Sequence, residues 1–301
     1  MISWLRGVIP AVITPFDEAG RIDETKLRAE IEFHIRAGVS ALCAGGSTGE
    51  GAGMSPAEVK QLNHAFVGQA AERVPVIAGI IPDTTDEAVM LGSLAKEAGV
   101  AALQVTPPHY LFQPGIEEIV SYYDEIHRRT GLPVILYNVL PWGQVTPEGV
   151  ERLLAADAIC AVKQSGSNMH QVADMVYRFG KRIAVLSAVD DLLYPSFVLG
   201  AHGTLSAIAS VLPRQCRELY EAVQEGRHGL ALEIHNKLLV VWRALEDMTG
   251  FPGRVKCAIE LQGRAAGLTR RPLRNARPEE KAILQRAFEE AGIPLAVGHH
   301  A

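Results

Sequence analysis

The stretch that decides the fold is Ala158-Ile-Cys-Ala-Val-Lys-Gln-Ser165. Its first five residues are apolar, and so short a continuous apolar run suits a strand buried on both faces, as in a parallel sheet. Lys163 stands near its end. A lysine on such a strand must find a carboxylate or give up its proton, because low-dielectric surroundings disfavour the charged ammonium. The neutral amine is a nucleophile for a carbonyl carbon. From this stretch alone an ion-paired lysine and a reactive lysine are both open.

Working outward, the same unit recurs on either side. Apolar strands are expected in Gly7–Phe16, Val39–Gly46, Val74–Ile81, Ala101–Pro108, Leu132–Asn138, Ile183–Val189 and Gly203–Ser210, besides the one carrying Lys163. Helical spacing follows each of them. Leu27, Ile31, His34 and Ile35 mark one face within Asp23–Ala37, and Ser55-Pro-Ala-Glu58 supplies an N-cap, a proline at N1 and a glutamate at N3. Further helices are expected over Thr85–Ala98, Gly115–Arg129, from Thr146-Pro-Glu148 onward, and over Asn168–Phe179, Asp190–Leu199 and Pro213–Gln224. Eight strand–helix units are the count of an α/β (β/α)8 TIM barrel. An open doubly wound sheet fits less well, because the unit repeats evenly and no phosphate fingerprint follows the first strand. Three more helical patterns, Gly229–Leu245, Arg254–Ala265 and Pro278–Ala291, contain no strand. The expected organisation is a barrel over 1–226 and a C-terminal three-helix segment over 227–301.

Composition narrows the function. The chain has 301 residues, 48% hydrophobic and 21% charged, with a net charge of −5, ordinary values for a globular protein. No basic stripe offers itself to nucleic acid, and no apolar run reaches the roughly 18 residues that span a bilayer. The start, Met-Ile-Ser-Trp-Leu-Arg, lacks the pattern of a secretion signal. Cys43, Cys160, Cys216 and Cys257 are scattered, as suits reduced thiols in a cytoplasmic protein rather than a metal site or disulfide framework. No HExxH spacing occurs, and the His299-His300 end is expected to be disordered.

In a barrel the site lies at the carboxyl ends of the strands. Gly45-Gly-Ser-Thr-Gly-Glu-Gly-Ala-Gly53 follows the second strand. Its glycines permit close backbone approach, while Ser47 and Thr48 offer hydroxyls and N–H groups near a helix start. No Gly-Lys-[Ser/Thr] ending makes it a nucleotide loop, and a carboxylate suits it better. Tyr137 ends the fifth strand, where a phenol either packs or passes protons to an imine on the neighbouring strand. Asp190 and Asp191 cap the following helix or meet substrate.

Gly46-Ser-Thr-Gly-Glu50, Val105-Thr-Pro-Pro108, Tyr137-Asn138, Val162-Lys-Gln-Ser165 and Gly200-Ala-His-Gly203 occur in one order at one spacing. As an ordered set they resemble the dihydrodipicolinate synthase / N-acetylneuraminate lyase family of Schiff-base barrels, over essentially the whole chain. The resemblance implies that Lys163 forms an imine with the keto carbon of pyruvate or another 2-oxo acid. It implies that Tyr137 relays protons, and that Ser47 and Thr48 hold the carboxylate and help the relay. Gly46 and Ser206 are grouped with the substrate-binding residues, and Thr48 and Tyr110 with the catalytic ones. No metal or organic cofactor is expected; the partners are the oxo acid and an aldehyde, and the assembly is a homotetramer.

Two departures bear on substrate. After Tyr137-Asn138 runs Val-Leu-Pro-Trp-Gly-Gln-Val145, without the arginine that lysine-pathway synthases carry there for the aldehyde's carboxylate. Trp142 falls at about its place, and an indole cannot replace a bidentate guanidinium. Secondly, His109 and Tyr110 stand where the family often has paired tyrosines, one serving a neighbouring subunit. With Leu111 and Phe112 nearby, Trp142 marks either a second pocket less polar than a sugar acid wants or packing at an interface between subunits. An aldolase or hydratase-aldolase is therefore preferred to dihydrodipicolinate synthase, with a 2-oxo-3-deoxy sugar acid dehydratase and a non-catalytic oxo-acid sensor as the alternatives.

Overall fold

A computed structural model of the chain describes residues 2–166 and 168–296; the His299-His300 end lies outside them. The strands are β1 (Gly7–Pro10), β2 (Leu42–Ala44), β3 (Val76–Ile80), β4 (Ala102–Val105), β5 (Val134–Asn138), β6 (Ala161–Ser165), β7 (Ala184–Ala188) and β8 (Gly203–Ser206). They form one eight-stranded parallel sheet in the order β1-β8-β7-β6-β5-β4-β3-β2. Its two ends meet through the Ala11–Cys43 bridge, where the Val12 N–H donates to the Cys43 carbonyl at 3.0 Å. This is the expected TIM barrel. The first strand is shorter than the expected Gly7–Phe16, because Pro10 and Pro15 supply no N–H to a ladder.

The first seven helices are α1 (Glu24–Arg36), α2 (Pro56–Ala70), α3 (Thr85–Ala98), α4 (Ile116–Thr130), α5 (Pro147–Ala155), α6 (Met169–Phe179) and α7 (Leu193–Val198). Their starts are chemical. Ser55 and Glu58 form the expected capping box on α2, and Thr84, Thr146 and Asn168 accept from the first-turn N–H groups of α3, α5 and α6. After β8 the chain departs from the expected long strand and turns into a short helix, α8 (Ile208–Val211), before α9 (Pro213–Gln224). The reason is tertiary: the Asp190 carboxylate accepts the Ile208 N–H at 2.7 Å and ends the ladder there.

Helices α10 (His228–Leu245), α11 (Phe251–Glu260) and α12 (Pro278–Glu290) complete the tail. α10 packs on α9 and α12, and α11 lies against the turn after β2. Two buried ion pairs fasten this segment to the barrel, Arg264–Glu30 at 2.7 Å and Lys256–Glu50 at 2.6 Å.

The core is double. Ile9, Ala11, Cys43, Ile77, Ala102, Ile135, Ala161, Leu186 and Leu205 fill the lumen. A larger shell, with Phe66, Leu103, Leu136, Val162 and Phe179, packs between strands and helices. Side chains alternate along a strand. Ile135 and Ala161 therefore commit Tyr137 and Lys163, two residues on in each strand, to the lumen at its carboxyl end.

Candidate active site

Parity and register set the centre of the site. Tyr137 on β5 is the register partner of Lys163 on β6, so two lumen-facing side chains stand side by side on adjacent strands. The Lys163 ammonium nitrogen lies 3.8 Å from the centroid of the Tyr137 ring. Lys163 is 3% exposed. Among the described residues no carboxylate lies within ion-pair distance of it; the buried lysine with a carboxylate partner is Lys256. Of the two readings open for Lys163, the ion-paired one is not what the structure holds.

The Tyr137 hydroxyl donates to the Ser47 hydroxyl at 3.2 Å. Ser47 belongs to a single 3-10 turn, Ser47–Gly49, that follows β2 and closes with the Gly49 N–H on the Gly46 carbonyl. The turn sits deep because its glycines admit it. A Cβ on Gly51 would fall 1.7 Å from the Gly45 carbonyl oxygen, and one on Gly79 would meet the Gly46 nitrogen at 2.7 Å. Gly46 enters the turn with extended backbone. Thr48 is buried in the same turn but makes no hydrogen bond to Tyr137; the hydroxyl in contact with the phenol is that of Ser47.

Two expected site residues are not brought to this centre within the chain. Tyr110 is 75% exposed on the rim after β4, its N–H held by the Asp83 carboxylate at 3.0 Å, as is that of His109. Ser206 ends β8 on the face opposite Leu205, and Leu205 belongs to the lumen cluster. Strand alternation thus turns its buried side chain toward the helical shell.

Behind Lys163 runs a buried amide network. Asn138 donates to Gln164 at 2.8 Å and to the Val145 carbonyl at 3.0 Å, and accepts the Val145 N–H at 2.8 Å. Gln144 reaches the Ser165 carbonyl at 3.1 Å. This network pins the 139–146 loop over β5 and β6. Trp142 rides on that loop, 61% exposed, its indole N–H directed at the His109 carbonyl at 3.4 Å. With Tyr110, Leu111 and Phe112 it makes an exposed apolar rim.

Three further groups bear on the site: the sequence passed over Gln104, offered Cys43 only as a scattered thiol, and left Asp190 between a helix cap and a substrate contact. Gln104, fully buried, shares a layer with lumen-facing Ile135 and leaves its amide nitrogen without a partner among the described residues. Cys43 lies near Lys163 in the lumen, and burial pushes its thiol up to about 11. Burial also pushes the Asp190 carboxyl up to about 7, while the Ile208 N–H bond and the Lys163 charge draw it back. A polar residue inside an apolar strand was a visible signal for Gln104; the burial of Asp190 had none. Asp191 pairs instead with Arg243 on α10 at 3.1 Å.

A buried lysine beside a phenol–hydroxyl pair stands at the carboxyl ends of the barrel strands, a placement that fits an imine-forming carbon–carbon lyase. The chain belongs to the Dihydrodipicolinate synthetase family, whose model matches residues 4–291, and it is an enzyme of that Schiff-base class. It is 35% identical over 292 residues to a protein of Methanocaldococcus jannaschii named 4-hydroxy-tetrahydrodipicolinate synthase, covering 96% of this chain and 99% of that one. The crystal structure of dihydrodipicolinate synthase from Aquifex aeolicus matches with a TM-score of 0.90 at 33% identity, over 96% of this chain and 99% of that one. YagE, a prophage protein of the dihydrodipicolinic acid synthase family from E. coli K12, solved in complex with pyruvate, matches with a TM-score of 0.92 at 27% identity, over 96% and 99%.

Proposed function

We propose that the chain is a pyruvate-dependent aldolase or hydratase-aldolase that makes or breaks a C–C bond through an imine on Lys163. The observation that carries the reading is a buried Lys163 with no carboxylate at ion-pair distance among the described residues, against the face of Tyr137. Pyruvate, the molecule with which YagE was solved in complex, is the oxo acid. The Lys163 nitrogen attacks the keto carbon, the carbinolamine loses water, and the iminium draws electrons from the bond at the third carbon. Tyr137 gives and takes the protons, with Ser47 receiving its hydroxyl bond and the Ser47–Thr48 turn holding the carboxylate. Tyr110 on the exposed rim serves a neighbouring copy, in a homotetramer.

For the second substrate, Trp142 in place of a guanidinium favours an aldehyde without a carboxylate at that point. The competing reading is dihydrodipicolinate synthase itself, favoured by the names of the relatives at 33–36% identity. A dehydratase of a 2-oxo-3-deoxy sugar acid would use the same imine but release no free pyruvate. The test is borohydride reduction with pyruvate and peptide mass mapping, on the wild type and Lys163→Ala. A reduced pyruvyl adduct on Lys163, absent in a folded Lys163→Ala protein without turnover, is expected. No adduct on the folded wild type, or turnover in the variant, refutes the imine.

A further inference from the structure

The turn that presents Ser47 to Tyr137 closes on its own backbone, with the Gly49 and Glu50 N–H groups on the Gly46 and Ser47 carbonyls at 2.9 and 3.1 Å, but its outer end is anchored from elsewhere. It is one 3-10 turn without a side-chain cap, it is followed by a second short turn, Gly51–Gly53, and the two are joined at Glu50. Glu50 is left-handed, at φ 58°, a conformation that a non-glycine residue keeps only when its surroundings impose it. What imposes it comes from the far end of the chain. The Lys256 ammonium on α11 donates to Glu50 Oε1 at 2.6 Å, to the Thr14 carbonyl at 2.8 Å and to the Leu268 carbonyl at 2.6 Å. An ammonium has three donors, and here all three are used, on acceptors from three separate segments. The second Glu50 oxygen accepts the Arg270 N–H at 2.9 Å. Both ion-pair side chains are 3% exposed. Under the turn there is no slack: a Cβ on Gly49 would meet the Val12 carbonyl oxygen at 2.8 Å.

We propose that Lys256 is a positioning residue for the oxo-acid site: through Glu50 it holds the Ser47–Gly49 turn at the height where Ser47 meets the Tyr137 hydroxyl. It touches neither substrate nor Lys163, so its effect passes through the turn. A lysine suits the task because a compact ammonium takes converging acceptors from three directions, whereas a planar guanidinium fits a paired carboxylate. The C-terminal helices are thereby part of the site's construction. The catalytic consequence rests on the reading of Ser47 and Lys163 above; the mechanical one does not.

The test uses Glu50→Gln, Lys256→Met and the neutral double variant, which separates a lone buried charge from a loosened turn. Hydrogen exchange is followed on a peptide covering 42–54, with a peptide covering β5 as control. Faster exchange by about tenfold in the turn, with β5 unchanged, is expected from local opening. In the same proteins the pyruvate concentration that half-saturates borohydride trapping on Lys163 should rise by about tenfold. Tyr137→Phe should cost less in the Glu50→Gln background than in the wild type, since coupled residues are non-additive. Unchanged exchange in the folded variants overturns the proposal, as does loosened exchange with wild-type trapping and full additivity. Loosened exchange with no adduct on the wild type leaves the positioning intact and removes the imine reading instead. If Lys256→Met alone fails to fold, Glu50→Gln and the double variant decide.

Discussion

Asp190→Asn should stabilise the protein, and by an amount that depends on pH. The Asp190 side chain is buried, and its Oδ1 accepts the Ile208 N–H at 2.7 Å. Burial raises its pKa from 3.8 to about 7. Between those values the unfolded chain has released this proton and the folded chain still holds it, so stability falls as pH rises. At 1.36 kcal/mol per pH unit the loss begins above the unfolded value and reaches a ceiling of about 4 kcal/mol near neutrality. Asparagine keeps the Oδ1 acceptor and has nothing to ionise. The advantage of Asp190→Asn over wild type should therefore grow by roughly 2–3 kcal/mol from pH 5 to pH 8, or about 5 °C in Tm for a chain of this size. His34, His202 and His235, whose pKa values burial lowers, titrate alike in both proteins and cancel in the difference. Urea unfolding at the two pH values, followed by tryptophan fluorescence, measures it. A difference constant within about 0.5 kcal/mol, or one that shrinks with pH, refutes the argument.

Other substitutions test the chemistry. Tyr137→Phe removes the hydroxyl that meets Ser47 at 3.2 Å; kcat should drop by about 10²–10⁴ while pyruvate still loads Lys163, and wild-type turnover would remove Tyr137 from the relay. Trp142→Arg puts a guanidinium on the rim, where the indole is 61% exposed. It should raise kcat/KM for a carboxylated aldehyde over a neutral one by about tenfold; an unchanged preference means that the second substrate's carboxylate is held elsewhere.

Much of the architecture was legible because it rests on local periodicity. Continuous apolar runs specify strands buried on both faces, and capping residues such as Ser55 and Thr146 specify helix starts without reference to the rest of the chain. The helices α10 and α12 fall within a residue of the expected Gly229–Leu245 and Pro278–Ala291. The misses are where a distant group competes with local preference. Gly203–Ser210 reads as one strand, yet Asp190 captures the Ile208 N–H and the ladder stops at Ser206. The candidate site divides in the same way. Residue type and order single out Lys163, Tyr137 and Ser47 as candidates. The parity of β8, which the sequence did not resolve, turns Ser206 away from Lys163, and Tyr110 stands on the exposed rim rather than beside Lys163.

By itself the sequence determined the order of the elements, the strand that carries the lysine, and the short list of groups able to do imine chemistry. Those properties are carried by neighbours in the chain: apolar period, caps, and the side-chain types at strand ends. Only the tertiary structure decided which of them meet. Barrel closure put Tyr137 in register with Lys163. It also brought α11 back from more than 200 residues away, placing Lys256 on Glu50 across a separation of 206 positions. A period of two or of 3.6 residues says which way a side chain points; it carries no information about what arrives from elsewhere to satisfy a buried charge.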